Sequence, residues 1–200
     1  LKNEISHEIN ASAGYKNEKF NLQAKANYFY IKNYIIGRIL SLGSPMNYQS
    51  VGVKGYTSLD YATLFNFSLN SSYAILEHLH WKGQLTYARA QDNKGGNLPF
   101  IRPLSYQTSL HYMLNKFSVQ ASVNGDFAQI NYSPKYGEDQ TPAYAICNLS
   151  ADYSFKIKSV SAMVQVGAEN LLDAYYSTYA DWGNIPRMGR NIFTSLKFNL

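Results

Sequence analysis

The sequence has few of the features that mark several large classes of protein. A single cysteine among 200 residues excludes a disulfide framework and any zinc site built from paired cysteines. Only 16% of the residues are charged, where about 25% is typical of a soluble domain. The longest unbroken apolar run, Ala143–Cys147, is far shorter than the roughly 20 residues that a transmembrane helix requires. Disordered chains, coiled coils, collagen and helical membrane proteins are thereby excluded.

Basic residues are in moderate excess but are not clustered. The formal net charge is +5, and the 18 lysines and arginines are spread along the chain without a basic run. A surface that tracks nucleic-acid phosphates requires clustered cations. The sequence therefore predicts no nucleic-acid partner.

What the sequence does contain is alternation of apolar and polar residues, with an unusual abundance of tyrosine. Apolar side chains recur at every second position in Phe20–Tyr30, Phe117–Phe127 and Ile192–Leu200, and most of the remaining chain follows the same period. A period of two indicates β-strands with one apolar and one polar face. No stretch of comparable length has a helical period. The predicted fold class is all-β with antiparallel strands.

The predicted strands fit a transmembrane β-barrel better than a soluble sandwich or a lipocalin-like barrel, which also alternate. The alternating segments run for 10 to 25 residues, and the polar face is rich in Asn, Gln and Ser. Aromatic residues lie near the segment ends on the apolar face, as in the aromatic girdles at the two membrane interfaces of such barrels. They are Tyr15, Phe20, Tyr73, Trp81, Phe117, Tyr153, Phe155 and Phe198.

Connections alternate between short turns and long loops. The short ones are Lys16–Lys19, Leu76–His78, Asn115–Lys116 and Lys156–Lys158; the long ones are Ile39–Ser50, Gln91–Pro103, Asn131–Pro142 and Leu172–Met188. Outer-membrane barrels place short turns in the periplasm and long loops outside the cell. With Val51–Ile75 interpreted as one long strand, the count is nine, so the first and last strands run the same way. Nine strands should not close alone, which predicts part of a larger barrel; a tenth strand would permit a small self-contained barrel.

The last thirty-odd residues resemble a known signature. Val166–Tyr176 reads VGAENLLDAYY and Arg187–Phe198 reads RMGRNIFTSLKF, which resembles the end of TonB-dependent outer-membrane receptors. The segment LKNEISHEINASAGY at the start is similar to another part of that family's barrel. Asn66, Ser68 and Leu200 depart from the family pattern. The residues that carry the signature are Asn170, Leu171, Asp173, Tyr176, Gly189, Arg190 and Phe198.

The resemblance implies a 22-stranded barrel of which residues 1–200 are the C-terminal part, with a plug domain upstream. Such a receptor lies in the outer membrane of a Gram-negative bacterium, surrounded by lipid, and contacts the TonB complex through its plug. It takes up a scarce nutrient, such as an iron-siderophore or another metal chelate, and it is not an enzyme and needs no cofactor. The alternatives are a passive porin or adhesin and, less favoured, an outer-membrane hydrolase. No register of the sequence brings Ser, His and Asp together at the outer rim.

Several residues in the long loops are candidates for ligand binding. Aromatic side chains with a cation suit a planar, anionic chelate. In the longest loop and the second long loop these are Tyr175, Tyr176, Tyr179, Trp182, Arg187 and Arg102, with Asp92 and Asn93 near the last. The alternative is an aromatic cluster that only packs the loop.

The sequence leaves two further questions open: whether Asp173 and Arg190 form an ion pair, and whether any side chains bind a soft metal ion. Asp173 and Arg190 flank one hairpin, which suggests an ion pair or, equally, two independent solvated residues.

The potential soft-metal ligands are His7, His78, His80, His111, Met113 and Cys147. Only His111 and Met113 share the polar face of a strand, while His78 and His80 flank a short turn and His7 and Cys147 point toward lipid. Two ligands seldom suffice, so no metal site is predicted.

Overall fold

A computed structural model describes residues 1–40 and 53–199. The strands in these ranges are β1 (Ile5–Lys16), β2 (Phe20–Lys32), β3 (Ile35–Leu40), β4 (Val53–Ser58), β5 (Tyr61–Leu76), β6 (Leu79–Asp92), β7 (Ser105–Leu114), β8 (Phe117–Asp126), β9 (Tyr144–Ile157), β10 (Val160–Glu169) and β11 (Asn191–Asn199). Short 3-10 helices cover Pro134–Tyr136 and Trp182–Asn184. In these ranges no helix is long and apolar enough to cross a membrane.

Nine of the strands form one antiparallel sheet in the order β1-β2-β5-β6-β7-β8-β9-β10-β11, which confirms the predicted antiparallel segment of about nine strands, while β3 and β4 form a separate two-stranded sheet. Short turns at one end of the sheet alternate with long loops at the other. Two of the short turns contain non-glycine residues with positive φ, Asn115 at 53° and Lys158 at 55°. Two-residue hairpins favour positive φ because it matches the twist of the flanking strands. The sheet therefore turns tightly at one end and carries its long loops at the other.

The register places most apolar residues of the sheet opposite other apolar residues. On one face, for example, Tyr28 is paired with both Ile9 and Phe65. On the other face a polar row crosses six strands, through Ser12, Lys25, Ser68, Thr86, Ser105 and Asp126. A shift of one residue in any pairing would move apolar side chains to the polar face. The alternation in the sequence thus fixes both faces.

The apolar face of this sheet is not covered by protein in the part of the chain that the structure describes. Ile9 is 72% exposed, Tyr153 48% and Phe198 55%, and no large side chain there is fully buried. In a soluble sandwich this face would pack against a second sheet. An uncovered apolar face opposite a polar one is typical of a membrane barrel wall.

The interpretation of Val51–Ile75 as one strand is wrong. β4 ends at Ser58 and pairs with β3 in a separate two-stranded sheet, and β5 begins at Tyr61. The break lies opposite Asn33, which has a positive φ of 57° and donates its N–H to the Asp60 carbonyl at 2.9 Å. Asparagine tolerates this conformation, and alternation by itself does not reveal such a local change of backbone. Residues 51 and 52, and most of the predicted loop 39–50, lie outside the described ranges.

A small apolar core lies at the long-loop end. It consists of the buried residues Ile36, Ala62, Ala90, Leu98 and Tyr136, with Tyr34, Leu59, Leu64 and Ile101 packed against them. The β3–β4 hairpin and the loops 93–104 and 127–143 meet in this core. The loops are therefore held against the end of the sheet by apolar packing.

Candidate ligand site at the long-loop end

The signature around Asn170 fixes how the last loop leaves β10. Asn170 has a positive φ of 48°, and its side-chain oxygen accepts the Ala174 N–H at 2.8 Å while its amide donates to the Ala174 carbonyl at 2.9 Å. Its own N–H donates to the side-chain oxygen of Asn148 at 3.0 Å. Asparagine combines a donor and an acceptor on a short side chain with tolerance of positive φ. Asn170 thus sets the path of the loop between residues 170 and 190.

Asp173 and Arg190 do contact each other, but the structure shows no ion pair between their side chains. The Asp173 Oδ1 atom accepts the backbone N–H of Arg190 at 2.8 Å. A Cβ atom on Gly189 would lie 2.5 Å from the same oxygen, so glycine is needed there for close approach. Asp173 therefore acts on the backbone that leads into β11, so the contact is neither the ion pair nor the two independent residues that the sequence left open.

Within the same loop, Asp181 and Arg187 form a paired contact. Arg187 Nη2 lies 2.7 Å from Asp181 Oδ1, and Arg187 Nε donates to Oδ2 at 2.8 Å. The Thr178 N–H and hydroxyl donate to Oδ2 at 2.7 and 2.8 Å. The hydrogen bond from Arg187, together with those from Thr178, lowers the pKa of Asp181 from 3.8 to about 2. The same hydrogen bond raises the pKa of Arg187.

A second arginine, Arg102, is held at the long-loop end of the sheet by the buried carboxylate of Asp126. Arg102 donates from Nε and Nη2 to Asp126 Oδ1 at 3.0 and 2.8 Å, and this hydrogen bonding raises the pKa of Arg102. The Asp126 side chain is 3% exposed, whereas that of Arg102 is 47% exposed. The Tyr144 hydroxyl donates to the other Asp126 oxygen at 3.1 Å. The carboxylate thus orients both Arg102 and Tyr144.

Arg102 and Arg187 are connected through Tyr144 and Tyr176. The Tyr144 ring packs on the Tyr176 ring with 4.8 Å between ring centroids, and the Tyr176 backbone carbonyl accepts the backbone N–H of Arg187 at 2.8 Å. We define these four residues, Arg102, Tyr144, Tyr176 and Arg187, as the loop-end cluster.

Three of the six predicted ligand residues, Arg102, Tyr176 and Arg187, belong to the loop-end cluster, and no contact among the described residues joins Tyr175 or Tyr179 to it. Tyr175 is 85% exposed. Trp182 begins a 3-10 helix, and its side chain lies outside the described part of the structure. Asp92 is buried and holds Lys135 at 2.6 Å, while Asn93 donates to Asp60. Tyr144 was missed; its place at the start of β9, directly after a long loop, is the signal that would have found it.

Polar cavities lie beside the loop-end cluster on the polar face. One of about 450 Å³ is lined by Tyr176, Asn148, Asn170 and Asn124. Another, of about 340 Å³, is lined by Arg102, Gln107 and Asn124, so Asn124 borders both. Amide and hydroxyl groups that line open cavities suit a hydrated, oxygen-rich ligand.

Two specific side-chain arrangements are absent from the ranges that the structure covers: a hydrogen-bonded Ser–His–acid arrangement and a metal site built from His, Cys, Asp and Glu. No histidine in these ranges makes a hydrogen bond to a serine, aspartate or glutamate side chain. No three His, Cys, Asp or Glu side chains among the described residues are grouped to hold a metal ion.

Comparison with known proteins identifies the family. The profile described as TonB dependent receptor-like, beta-barrel matches residues 1–171. The chain belongs to the TonB-dependent receptor family. The signature in Val166–Tyr176 and Arg187–Phe198 leads to the same family as the profile match over residues 1–171. No curated protein sequence gives a significant match to this TonB-dependent receptor chain.

Solved structures of TonB-dependent receptors share its fold. The copper transporter OprC aligns with a TM-score of 0.85 at 17% identity, covering 96% of this chain and 31% of that one. A ferric enterobactin receptor mutant (PfeA, G324V) from Pseudomonas aeruginosa aligns with a TM-score of 0.73 at 21% identity, covering 98% and 31%. The siderophore receptor PirA from Acinetobacter baumannii gives 0.72 at 16% identity, covering 98% and 32%. The chain therefore spans about a third of the length of these structures.

Proposed function

We propose that this chain forms part of an outer-membrane receptor that takes up a scarce nutrient as an anionic metal chelate, with energy delivered by the TonB complex. The observation that carries the proposal is the loop-end cluster, in which two half-exposed arginines and two packed tyrosine rings lie beside polar cavities. The family assignment supports active transport in place of passive diffusion. Copper, enterobactin and siderophores appear in the names of proteins with the same fold, which is consistent with a chelate as cargo.

The geometry of the arginines suits an anionic ligand. Arg102 and Arg187 each have about half of their side chain exposed, and each uses one edge of its guanidinium to bind a carboxylate. A guanidinium has five N–H donors, so donors remain for ligand oxygens. Because Asp126 and Asp181 orient the two cations before binding, little side-chain entropy is lost when a ligand binds. The Tyr144 and Tyr176 rings provide aromatic surface for planar ligand groups.

The two faces of the sheet support the remaining parts of the proposal, which are the contacts with lipid and with a plug domain. The apolar face contacts outer-membrane lipid, and the polar face lines the passage and contacts a plug domain contributed by the upstream part of the receptor. TonB acts through that plug. We assign no catalytic role to any residue, because the family consists of transport receptors.

The proposal is tested by ligand binding to the complete receptor. We expect Arg187→Gln to weaken binding of a ferric tris-catecholate about tenfold or more, since a charge-assisted hydrogen bond contributes about 1.5–3 kcal/mol. Arg102 is replaced together with its buried partner, as Arg102→Gln with Asp126→Asn, so that no unpaired carboxylate remains. Arg89→Gln, an exposed arginine on the other face of β6, is the matched control. Unchanged affinity in both loop-end variants, for catecholate and hydroxamate chelates alike, would contradict the recognition role.

A further inference from the structure

A second group of potential ligands lies at the opposite end of the sheet from the loop-end cluster. His80 on β6 and His111 on β7 are directly paired across the antiparallel ladder, on the polar face. Side chains in directly opposed positions have Cβ atoms about 4.5–5.5 Å apart. The sequence alone separated these two histidines by thirty residues, and the register brings them together.

A thioether lies beside the two imidazoles. Met113 follows His111 by two residues on the same face of β7, and its N–H donates to the His78 carbonyl at 2.8 Å, which holds this end of the strand in place. Positions diagonal across a ladder are about 7–8 Å apart at Cα, within reach of a long side chain such as methionine. His80, His111 and Met113 line one cavity of about 490 Å³ near the short turns. All three residues thus border the same open space.

The donor set selects a class of metal ion. Imidazole and thioether are neutral ligands, and the thioether selects soft ions such as Cu(I). Lys16, Lys19 and Lys82 line the same cavity with only Glu18 to balance them. A positive surrounding penalises a divalent ion more than a monovalent one. We propose that His80, His111 and Met113 form a binding site for a soft monovalent cation, Cu(I) or its analogue Ag(I).

The position of the site distinguishes it from the ligand site proposed above. The loop-end cluster and the three metal-ligand candidates lie at opposite ends of the strands, and β6 alone has 14 residues, which corresponds to roughly 45 Å at about 3.3 Å per residue. The histidine site therefore does not take part in recognition at the loops. A metal ion bound there would lie at the short-turn end of the polar face, where material leaves the barrel in the proposed direction of import.

The test is a titration of the complete purified receptor in detergent with Ag(I), which has no redox chemistry under these conditions. We expect His80→Gln with His111→Gln to remove roughly one equivalent of bound Ag(I) relative to the unmodified receptor. Loss of an outer-shell partner already costs about 10–100-fold in affinity, so we expect Met113→Leu, which removes a ligand, to cost at least as much. His7→Gln, a histidine on the apolar face of β1, is the matched control and should bind as the unmodified receptor does.

Cu(I) and Ni(II) provide the second measurement. X-ray absorption of the Cu(I)-loaded receptor should show a sulfur neighbour that disappears in Met113→Leu while the nitrogen neighbours remain. Ni(II) should bind at least about tenfold more weakly than Ag(I), because a thioether and neutral ligands do not favour it. Equal Ag(I) stoichiometry in the double histidine variant, or equal affinity for Ni(II), overturns the assignment. Neither result depends on chelate binding at the loop-end cluster, so the two proposals fail separately.

Discussion

At the scale of single residues, the family signature acts mainly on the backbone. Asn170 and Asp173 both have positive φ, and both direct their side-chain oxygens to N–H groups of the last loop. Hydrogen bonds of this kind replace the ladder where the strands separate. The spacing of the signature is therefore explained by the geometry of one hairpin.

The contact between Asp173 and Arg190 gives an asymmetric prediction. Asp173→Ala should lower the free energy of unfolding by about 1 kcal/mol, because the Arg190 N–H loses its acceptor. Arg190→Ala should change it by less than about 0.5 kcal/mol, since that side chain makes no ion pair with Asp173. Thermal and denaturant unfolding of the single variants and the double variant measure both effects. A loss of similar size for the two single variants, with strong coupling in the double, would restore the ion pair.

The Asp181 carboxyl gives a prediction of pH dependence. Its pKa in the folded protein is about 2, below the ordinary 3.8, so its contribution to loop stability is complete above about pH 4 and is lost as the pH falls through 2. The carboxyl carbon resonance of Asp181 should titrate near 2 and move toward 3.8 in Arg187→Gln. Arg190→Gln, which leaves the contact between Asp181 and Arg187 intact, is the matched control. A titration of Asp181 that is insensitive to Arg187 would disprove the pairing.

At the scale of elements, one aromatic residue shows how neighbouring strands pack on the apolar face. The Trp81 ring lies over Gly83 on β6, and its indole N–H donates to the Thr108 hydroxyl on β7 at 2.8 Å. A tryptophan in an apolar surrounding needs a partner for its N–H. Thr108 provides that partner, and Gly83 leaves the space for the ring.

Gly83→Ala should therefore destabilise the sheet. Its Cβ would lie 2.6 Å from the Trp81 ring, so the ring must move and the hydrogen bond to Thr108 is lost, at a cost of about 1–3 kcal/mol. Denaturant unfolding followed by tryptophan fluorescence measures the change. Gly14→Ala is the control, because the nearest atom to its Cβ would be 3.4 Å away. Equal stability of the two variants would show that Trp81 does not need this space.

At the scale of the whole molecule, the sheet has two outer strands without a further partner among residues 1–40 and 53–199. β1 and β11 are its outer strands, and successive antiparallel pairings across nine strands make them run the same way. Unpaired backbone groups facing lipid are strongly unfavourable, so both edges require further strands. Pairing β1 directly with β11 would be parallel, unlike the antiparallel strands of bacterial outer-membrane barrels.

Hydrogen exchange tests this requirement. In a polypeptide limited to residues 1–200, we expect amides of β1 and β11 to exchange much faster than those of β6, β7 and β8. In the complete receptor, all of these strands should be protected if further barrel strands pair with both edges. The central strands are the internal control in each sample. Full protection of both edges in the shorter polypeptide would mean that nine strands close by themselves.

Much of this architecture follows from the sequence because its physical basis is local. Alternation with a period of two fixes the strands, their two faces and, with the loop lengths, their antiparallel order; a slip in register would move apolar side chains to the polar face. The same alternation gave a wrong prediction at Leu59 and Asp60. The alternating pattern continues through this segment, but the strand is interrupted there, opposite Asn33 with its positive φ. A local pattern carries no information about a conformation set on another strand.

The contacts that give the molecule its candidate sites were decided only by the tertiary structure. Arg102 and Arg187 were identifiable as loop cations, yet their link through Tyr144 and Tyr176 depends on how two separate loops fold over the sheet end. The pairing of His80 with His111 depends on the register of β6 and β7. Residues distant in sequence become neighbours through strand register and loop packing, whereas the faces of a strand are set by its own residues.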